Sequence, residues 1–320
     1  MGLISRTMVL LGALFMQSLC GTAMADEPVK VFVGSYVQNV TDLDLRGGKA
    51  TVDFYVWFRW PADSGLAPHE SFELVNGSEL SRVVQDSLDE DGEKYAVLRA
   101  KAVMDVAWDL RKFSVDRQTI PIQIEDGANG VDAMVYVADT GNLAIRSDIR
   151  LPGYAVTGHR ASVGEATYMT NFGDRKLPPD TKSTYSRYEH GVTIERAGYG
   201  YFFKLFATMF LSTVVVAVAF VMEPENIDGR TAIGIGSLFA VVATNYVISG
   251  QLPETDVFSL ADQVNFLSMG AIIVSLLLAV MSWRLHMQGG SGLVIRVVDR
   301  LGLIGIPVLY TGIIAMLARP

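Results

Sequence analysis

Residues 228–250 read DGRTAIGIGSLFAVVATNYVISG. Within this stretch Asp228, Ala232, Gly236, Phe239, Ala243, Tyr246 and Gly250 follow one another by steps of four, four, three, four, three and four, so a helix carries them in one stripe. A stripe that mixes very small residues with a bulky ring and opens on a carboxylate predicts a wall facing an aqueous path. The segment from 230 to 250 is also long and apolar enough to cross a bilayer.

Three further stretches share that property: 201–222, 264–285 and 297–317, the last with Pro307 as a predicted kink. Tyr199, Tyr201, Phe202 and Phe203 open the first as an aromatic belt of the kind found at a membrane surface. The connection after the third span carries Arg284, Arg296 and Arg300, whereas the 251–262 connection has no Lys or Arg. The positive-inside tendency therefore puts the former in the cytoplasm and an N-terminal head outside. The acidic turn 223–229 opposes this only weakly, because carboxylates count for little in that rule.

Of the 320 residues half are hydrophobic, and the length predicts two bodies of roughly 150 residues each. Residues 26–198 hold most of the charge and essentially all of the net −8, which argues against nucleic acid as a partner, since phosphate needs clustered Lys and Arg. An acidic surface concentrates cations instead. Residues 1–25 read as an export signal: Arg6, an apolar core from Met8 to Met16, and Ala23-Met24-Ala25 as a small-x-small cleavage site. The alternative, a first membrane span over 8–20, suffers from a short core. The sole cysteine, Cys20, lies in this segment, so a cleaved chain has no disulfide, thiolate metal site or cysteine nucleophile.

The head, 26–198, reads as β-structure. Along 50–60, Val52, Phe54, Val56, Phe58 and Trp60 share one face of a strand and Thr51, Asp53, Tyr55, Trp57 and Arg59 the other. Further runs stand at 29–37, 72–75, 94–107, 118–124, 131–137, 161–170 and 185–195, with Gly47-Gly48 turning the first pair. Repeated strands without intervening helices predict an antiparallel, immunoglobulin-like β-sandwich. The fold class is thus an exported β-sandwich followed by a four-helix transmembrane bundle over 199–320.

An exported sandwich, four spans, and a second span joined to the third through Gln251-Leu252-Pro253 together resemble the pentameric ligand-gated ion channels in their bacterial form, the Cys-loop receptor superfamily without its disulfide. The likeness covers nearly all of 26–320. Its sharpest piece is Phe113-Ser114-Val115-Asp116-Arg117-Gln118, similar to the family's Phe-Pro-Phe-Asp-x-Gln loop. Asp116 and Gln118 match, while Ser114 and Val115 depart from Pro and Phe. Trp57-Phe58-Arg59-Trp60 resembles the family's aromatic strand, and Arg196 stands where the family keeps an Arg before the first span. The proline usual inside that span has no equivalent between Lys204 and Met222.

The resemblance implies a homopentamer of the bacterial inner membrane with a periplasmic head, gated by a small molecule, protons or a divalent ion, and conducting inorganic ions. Five copies of Asp228 would form a carboxylate ring attracting cations; alternatively Asp228 is a helix N-cap. Arg230 is the rival charge, pointing roughly 200° away and therefore packed between subunits or reaching toward headgroups. The family's anion-selective branch has Pro-Ala-Arg where this chain has Asp-Gly-Arg. Phe239 would close the path as a hydrophobic ring, or else pack on a neighbouring helix.

By the same resemblance Asp116, Gln118, Arg196, Leu252, Pro253 and Glu254 would couple head to pore, with a structural salt bridge as the plainer reading of Asp116 and Arg196. By the same resemblance a ligand site lies between neighbouring heads, where Trp57 and Trp60 on one side and Phe172, Tyr185 and Tyr188 on the other are candidates for an aromatic cage around a cationic ligand, though packing is the commoner fate of such rings. The acidic run Asp86, Asp89, Glu90, Asp91 and Glu93 could hold Ca²⁺ or sense protons, but a solvated loop looks the same and its spacing fits no calcium-loop motif, so no metal residue is named. His69, His159, His190 and His286 are scattered and no catalytic or phosphate motif is present, so neither an enzyme nor a cofactor is expected. The competing class is a non-conducting binding receptor that uses its spans only as an anchor.

Overall fold

The computed structural model describes residues 27–318 apart from 174, 176, 177 and 179 and the Glu90 side chain; the export segment with Cys20 lies outside the described residues. Among the described residues the head contains ten strands: β1 (Val29–Asp44), β2 (Lys49–Pro61), β3 (Phe72–Leu74), β4 (Gly77–Glu90), β5 (Glu93–Asp105), β6 (Arg117–Asp126), β7 (Met134–Ala138), β8 (Ala144–Ile145), β9 (Tyr154–Tyr168) and β10 (Ser183–Arg196). They form a sandwich of two sheets. One runs β4-β5-β2-β1-β7 with β8 also on β1, and the other β3-β6-β10-β9. The expectation of a purely antiparallel sandwich is corrected at one edge, where β7 and β8 pair parallel with β1.

The alternation in β2 does what it predicts: Val52, Phe54, Val56 and Phe58 are fully buried and Trp60 nearly so. They meet Val31, Val33, Val37 and Val40 of β1, Leu98 and Met104 of β5, and Ile120, Ile122 and Ile124 of β6. Each such side chain removed from water contributes about 1.5–3 kcal/mol, so this layer holds the two sheets together. β4 was not expected from the sequence. Register shifts between Glu79 and Ser81 and between Val84 and Asp86 reset its alternation twice, so no period-two pattern survives along it. The acidic run 86–93 is the end of β4 and a tight turn in which Asp91 (φ 52°) and Gly92 (φ 80°) supply the left-handed backbone a two-residue hairpin needs.

Among the described residues, four helices long and apolar enough to span a membrane follow. α1 (Gly200–Val218) ends in a 3₁₀ turn over Ala219–Val221, α2 is Ile227–Ser249, and α3 is Leu260–Met287. The fourth span is α4 (Gly292–Arg300), a π turn at Leu301–Gly305 and α5 (Ile306–Leu317). α3 starts four residues before its sequence reading because Ser259 and Asp262 close a reciprocal capping box. The fourth span likewise begins before 297, and its irregularity lies in the π turn preceding Pro307 rather than at the proline itself. Tightly packed small residues join the helices: Gly234 of α2 faces the Leu276 side chain, and Gly302 lies against the Phe220 ring. Between α3 and α5 the buried Ser268 and Tyr310 hydroxyls are 2.8 Å apart, which gives each a partner inside the bundle.

Gly34 of β1 sits opposite Trp57 of β2 with the indole lying over it, leaving no room for a Cβ. Gly34→Val is expected to displace the indole and break its Nε1–H···Asp139 bond of 3.1 Å, lowering head stability by about 1–3 kcal/mol. Tryptophan fluorescence during chemical unfolding of the full chain checks this.

Candidate functional site

α2 has two faces of opposite character. Arg230, Gly234, Ser237, Val241 and Ile248 are buried against the chain's other helices. On the other side all seven stripe residues, Asp228, Ala232, Gly236, Phe239, Ala243, Tyr246 and Gly250, are exposed in the single chain. The exposure of Phe239 (71%) and Tyr246 (83%) means that neither ring packs on a helix of its own chain. Beside the stripe, Ile235, Val242 and Val247 are exposed as well.

The start of α2 revises two readings. Asn226, not Asp228, is the N-cap: its side-chain oxygen accepts the Gly229 amide hydrogen bond at 3.2 Å. Asp228 lies in the first turn with an exposed side chain, where the positive end of the helix dipole favours its charge. Arg230 neither lies between subunits nor reaches toward headgroups. Its side chain is fully buried within the chain, with Nη1 2.8 Å from Oδ1 of Asp299 and Nη2 donating to the Met222 carbonyl.

At the other end of α2 the head meets the spans. The Arg46 guanidinium in the β1–β2 turn donates to the Gly250 carbonyl at 3.3 Å, and the Leu260 amide at the head of α3 donates to the Arg111 carbonyl at 2.9 Å. Phe113, from the loop before β6, is fully buried and belongs to the same apolar cluster as Phe202 and Phe206 of α1 and Val264 of α3. Behind it stands a buried polar network. Asp116 accepts from the Arg196 Nε at 2.9 Å, from the Gln118 amide at 2.7 Å and from the Tyr154 hydroxyl at 3.2 Å. Gln118 in turn is tied to the backbone of Asp109, its amide donating to the carbonyl and its oxygen accepting from the N–H, both at 2.8 Å.

The Arg196 guanidinium lies 4.1 Å from the Tyr154 ring centre and 4.4 Å from that of Tyr201 at the start of α1. Burial, then the Asp116 charge, pushes the Tyr154 phenol well up, so it is a neutral donor at ordinary pH. The structure thus joins Asp116, Gln118 and Arg196 in one network. Pro253 is half-buried and Glu254 exposed in the neighbouring α2–α3 connection, where Gln251 accepts from the Tyr201 hydroxyl at 2.9 Å. Tyr154, Arg46 and Asp109 carried no signal in the sequence, because contacts between distant segments leave no local pattern.

Within one chain each of the two sets of candidate ligand residues is divided. Three-residue spacing on a strand puts side chains on opposite faces, which separates Trp57 from Trp60 and Tyr185 from Tyr188. Trp60 is 3% exposed and stacked on His69, and Tyr188 is fully buried with its hydroxyl 2.8 Å from that of Ser35; both are core residues, a correction to the cage. Trp57 is half-buried, held by Asp139. Phe172, strongly exposed, and Tyr185 instead form an aromatic trio with Tyr168, with ring centres 5.8–6.4 Å apart. The Tyr168 hydroxyl donates to Glu125 at 3.0 Å, and Arg187 bridges the pair.

Two histidines on β9 and β10 also meet inside the head. His190 is fully buried, its Nδ1 2.7 Å from the Ser35 hydroxyl and its ring 5.4 Å from that of His159. Burial, reinforced by His159, pushes His190 down to about 4, so it is neutral near pH 7. Among the described residues no group of three or more His, Cys, Asp or Glu is arranged to hold a metal ion.

The chain is therefore a multi-pass membrane protein with an N-terminal β-sandwich docked on four spans. No family model matches it. Over 263 residues it is 21% identical to a proton-gated ion channel of Gloeobacter violaceus, the match covering 76% of this chain and 70% of that protein.

Asp116→Asn or Arg196→Gln alone strands a buried charge and is expected to cost about 3–5 kcal/mol, with the double substitution costing less than the two together; thermal unfolding of the detergent-solubilised protein measures it. His190 gives a pH signature. Its folded value, about 4, lies below the ordinary 6.5, so the unfolded chain takes up the proton first. Its contribution is present above pH 6.5 and is lost as pH falls toward 4, by roughly 2–3 kcal/mol. His190→Leu should flatten that part of the stability curve.

Proposed function

We propose that the chain assembles as a homopentamer in a bacterial inner membrane, with its sandwich in the periplasm and α2 of every copy lining a central, cation-selective pore. The observation that carries the proposal is the uncovered stripe of α2. A carboxylate at its start finds no partner among lipid tails and the small residues along it leave open space beside the helix, whereas fivefold packing would turn both onto a shared hydrated axis. The similarity to a protein named as a proton-gated ion channel supports the same reading, and makes protons the first agonist to try ahead of small molecules and divalent ions.

In this assembly Asp228 forms a charged ring at the cytoplasmic mouth, and Phe239 forms an apolar constriction mid-membrane that excludes water until the helices tilt or rotate. Movement of the head reaches α2 through the Asp116–Arg196 network and the connection carrying Leu252, Pro253 and Glu254. Lipid surrounds the remaining exposed apolar faces.

Purified protein in planar bilayers should pass current when the head side is acidified, and native mass measurement should give five copies. Phe239→Ala should leak at rest, and Asp228→Asn should move the reversal potential in a salt gradient toward chloride by roughly 10 mV or more. A pentamer that stays silent under every pH and ligand condition would instead be a receptor using its spans as an anchor.

A further inference from the structure

After Asp262 the chain has a single side-chain carboxylate, Asp299. It stands in the last turn of α4, away from the stripe, and its partner is Arg230, two residues beyond Asp228 on α2. The pair sits in a closed setting. The Arg230 side chain has no solvent exposure, its guanidinium carbon lies 5.3 Å from the Phe220 ring centre, and Nη2 is held by the Met222 carbonyl. Nε is buried with no hydrogen-bond partner among the described residues, so the Asp299 carboxylate supplies the one compensating charge.

A guanidinium at this depth without a counter-charge moves to the nearest water. On α2 that water is the cytoplasmic mouth, where the long side chain would meet the Asp228 ring. Asp299 thus decides which charge the mouth presents. With it, Arg230 is neutralised behind the wall and Asp228 acts alone; without it, five guanidinium groups oppose five carboxylates. Glu223 and Glu225, the latter 3.0 Å from His286, are the same in both cases.

We propose that Asp299 is a selectivity-determining residue of the pore although it does not line it, acting by holding Arg230 inside the protomer. This rests on the cation-channel reading above. The test is the reversal potential in a KCl gradient across planar bilayers for wild type, Asp299→Asn, Arg230→Gln and the Asp299→Asn/Arg230→Gln double variant. Wild type is expected to be cation-selective, and Asp299→Asn to lose roughly fivefold or more of the cation over anion permeability ratio. Arg230→Gln and the double variant should keep the wild-type preference, because no free guanidinium remains.

Conducting Asp299→Asn channels with an unchanged reversal potential would overturn the proposal, as would a double variant as impaired as the single one. Should Asp299→Asn not assemble, recovery of assembled, cation-selective channels in the double variant assigns the defect to the released guanidinium, and failure of the double variant rejects that. Wild type without cation current would remove the channel reading itself, an outcome separate from any difference among the variants.

Discussion

A helix crossing a bilayer can offer a polar side chain only a partner inside the protein, the headgroup region, or a water-filled path, since hydrocarbon solvates none of them. α2 sorts its residues by that constraint. Arg230 and Ser237 are turned inward, where Arg230 has found Asp299. Asp228 and Tyr246 are left outside with no covering helix from the same chain. One face is finished in the protomer and the other is not. In the proposed assembly that face, with its carboxylate and small residues, would be completed by other copies of itself around water, so the fold and the proposal depend on the same helix.

The junction obeys the same rule with different means. Asp116 is buried, yet its carboxylate receives hydrogen bonds from Arg196, Gln118 and Tyr154, so its desolvation is offset by charge-assisted bonds and by the faces of two tyrosines on the guanidinium. A network satisfied this fully has one geometry rather than several. Because Phe113 of the same loop is embedded among α1 and α3 residues, a displacement of the sandwich base has to be matched by the tops of the spans. Soft contacts would absorb such motion. In the proposed channel a buried ion pair flanked by packed rings would transmit it.

How much of this could be read in the chain depended on whether the signal was local. β2 was legible because its inward side chains alternate without interruption; β4 was not, because two bulges erase the alternation and its polar residues mimic a loop. The stripe of α2 was legible as a spacing, and the structure added only which way it faces. The N-cap was misplaced by two residues, since Asn226 and Asp228 are both good caps and the backbone chooses between them. Tyr185 and Tyr188 looked like neighbours in sequence, but an odd spacing on a strand sends one to the outer face and one into the core. Arg230 was visible and its partner was not: Asp299 is 69 positions away, and its only trace was being a carboxylate alone in an apolar span.

The irregular fourth span shows how that partner is delivered. Pro307 has no amide hydrogen and its ring crowds the preceding turn, and just ahead of it the Ile306 amide bonds to the Leu301 carbonyl, five residues back. In a regular helix Val298 and Tyr310, twelve residues apart, would point about 120° from each other; one extra residue taken up in a π turn reduces this to about 20°. Both are buried, as are Gly302 beneath Phe220 and Ile314. The π turn thus lets the two halves of the span present the same side to the bundle, with Tyr310 bonded to Ser268 above and Asp299 bonded to Arg230 below. Straightening the span would rotate one of these contacts out of the bundle, so the proline-linked turn and the buried ion pair at the base of α2 belong to a single structural solution.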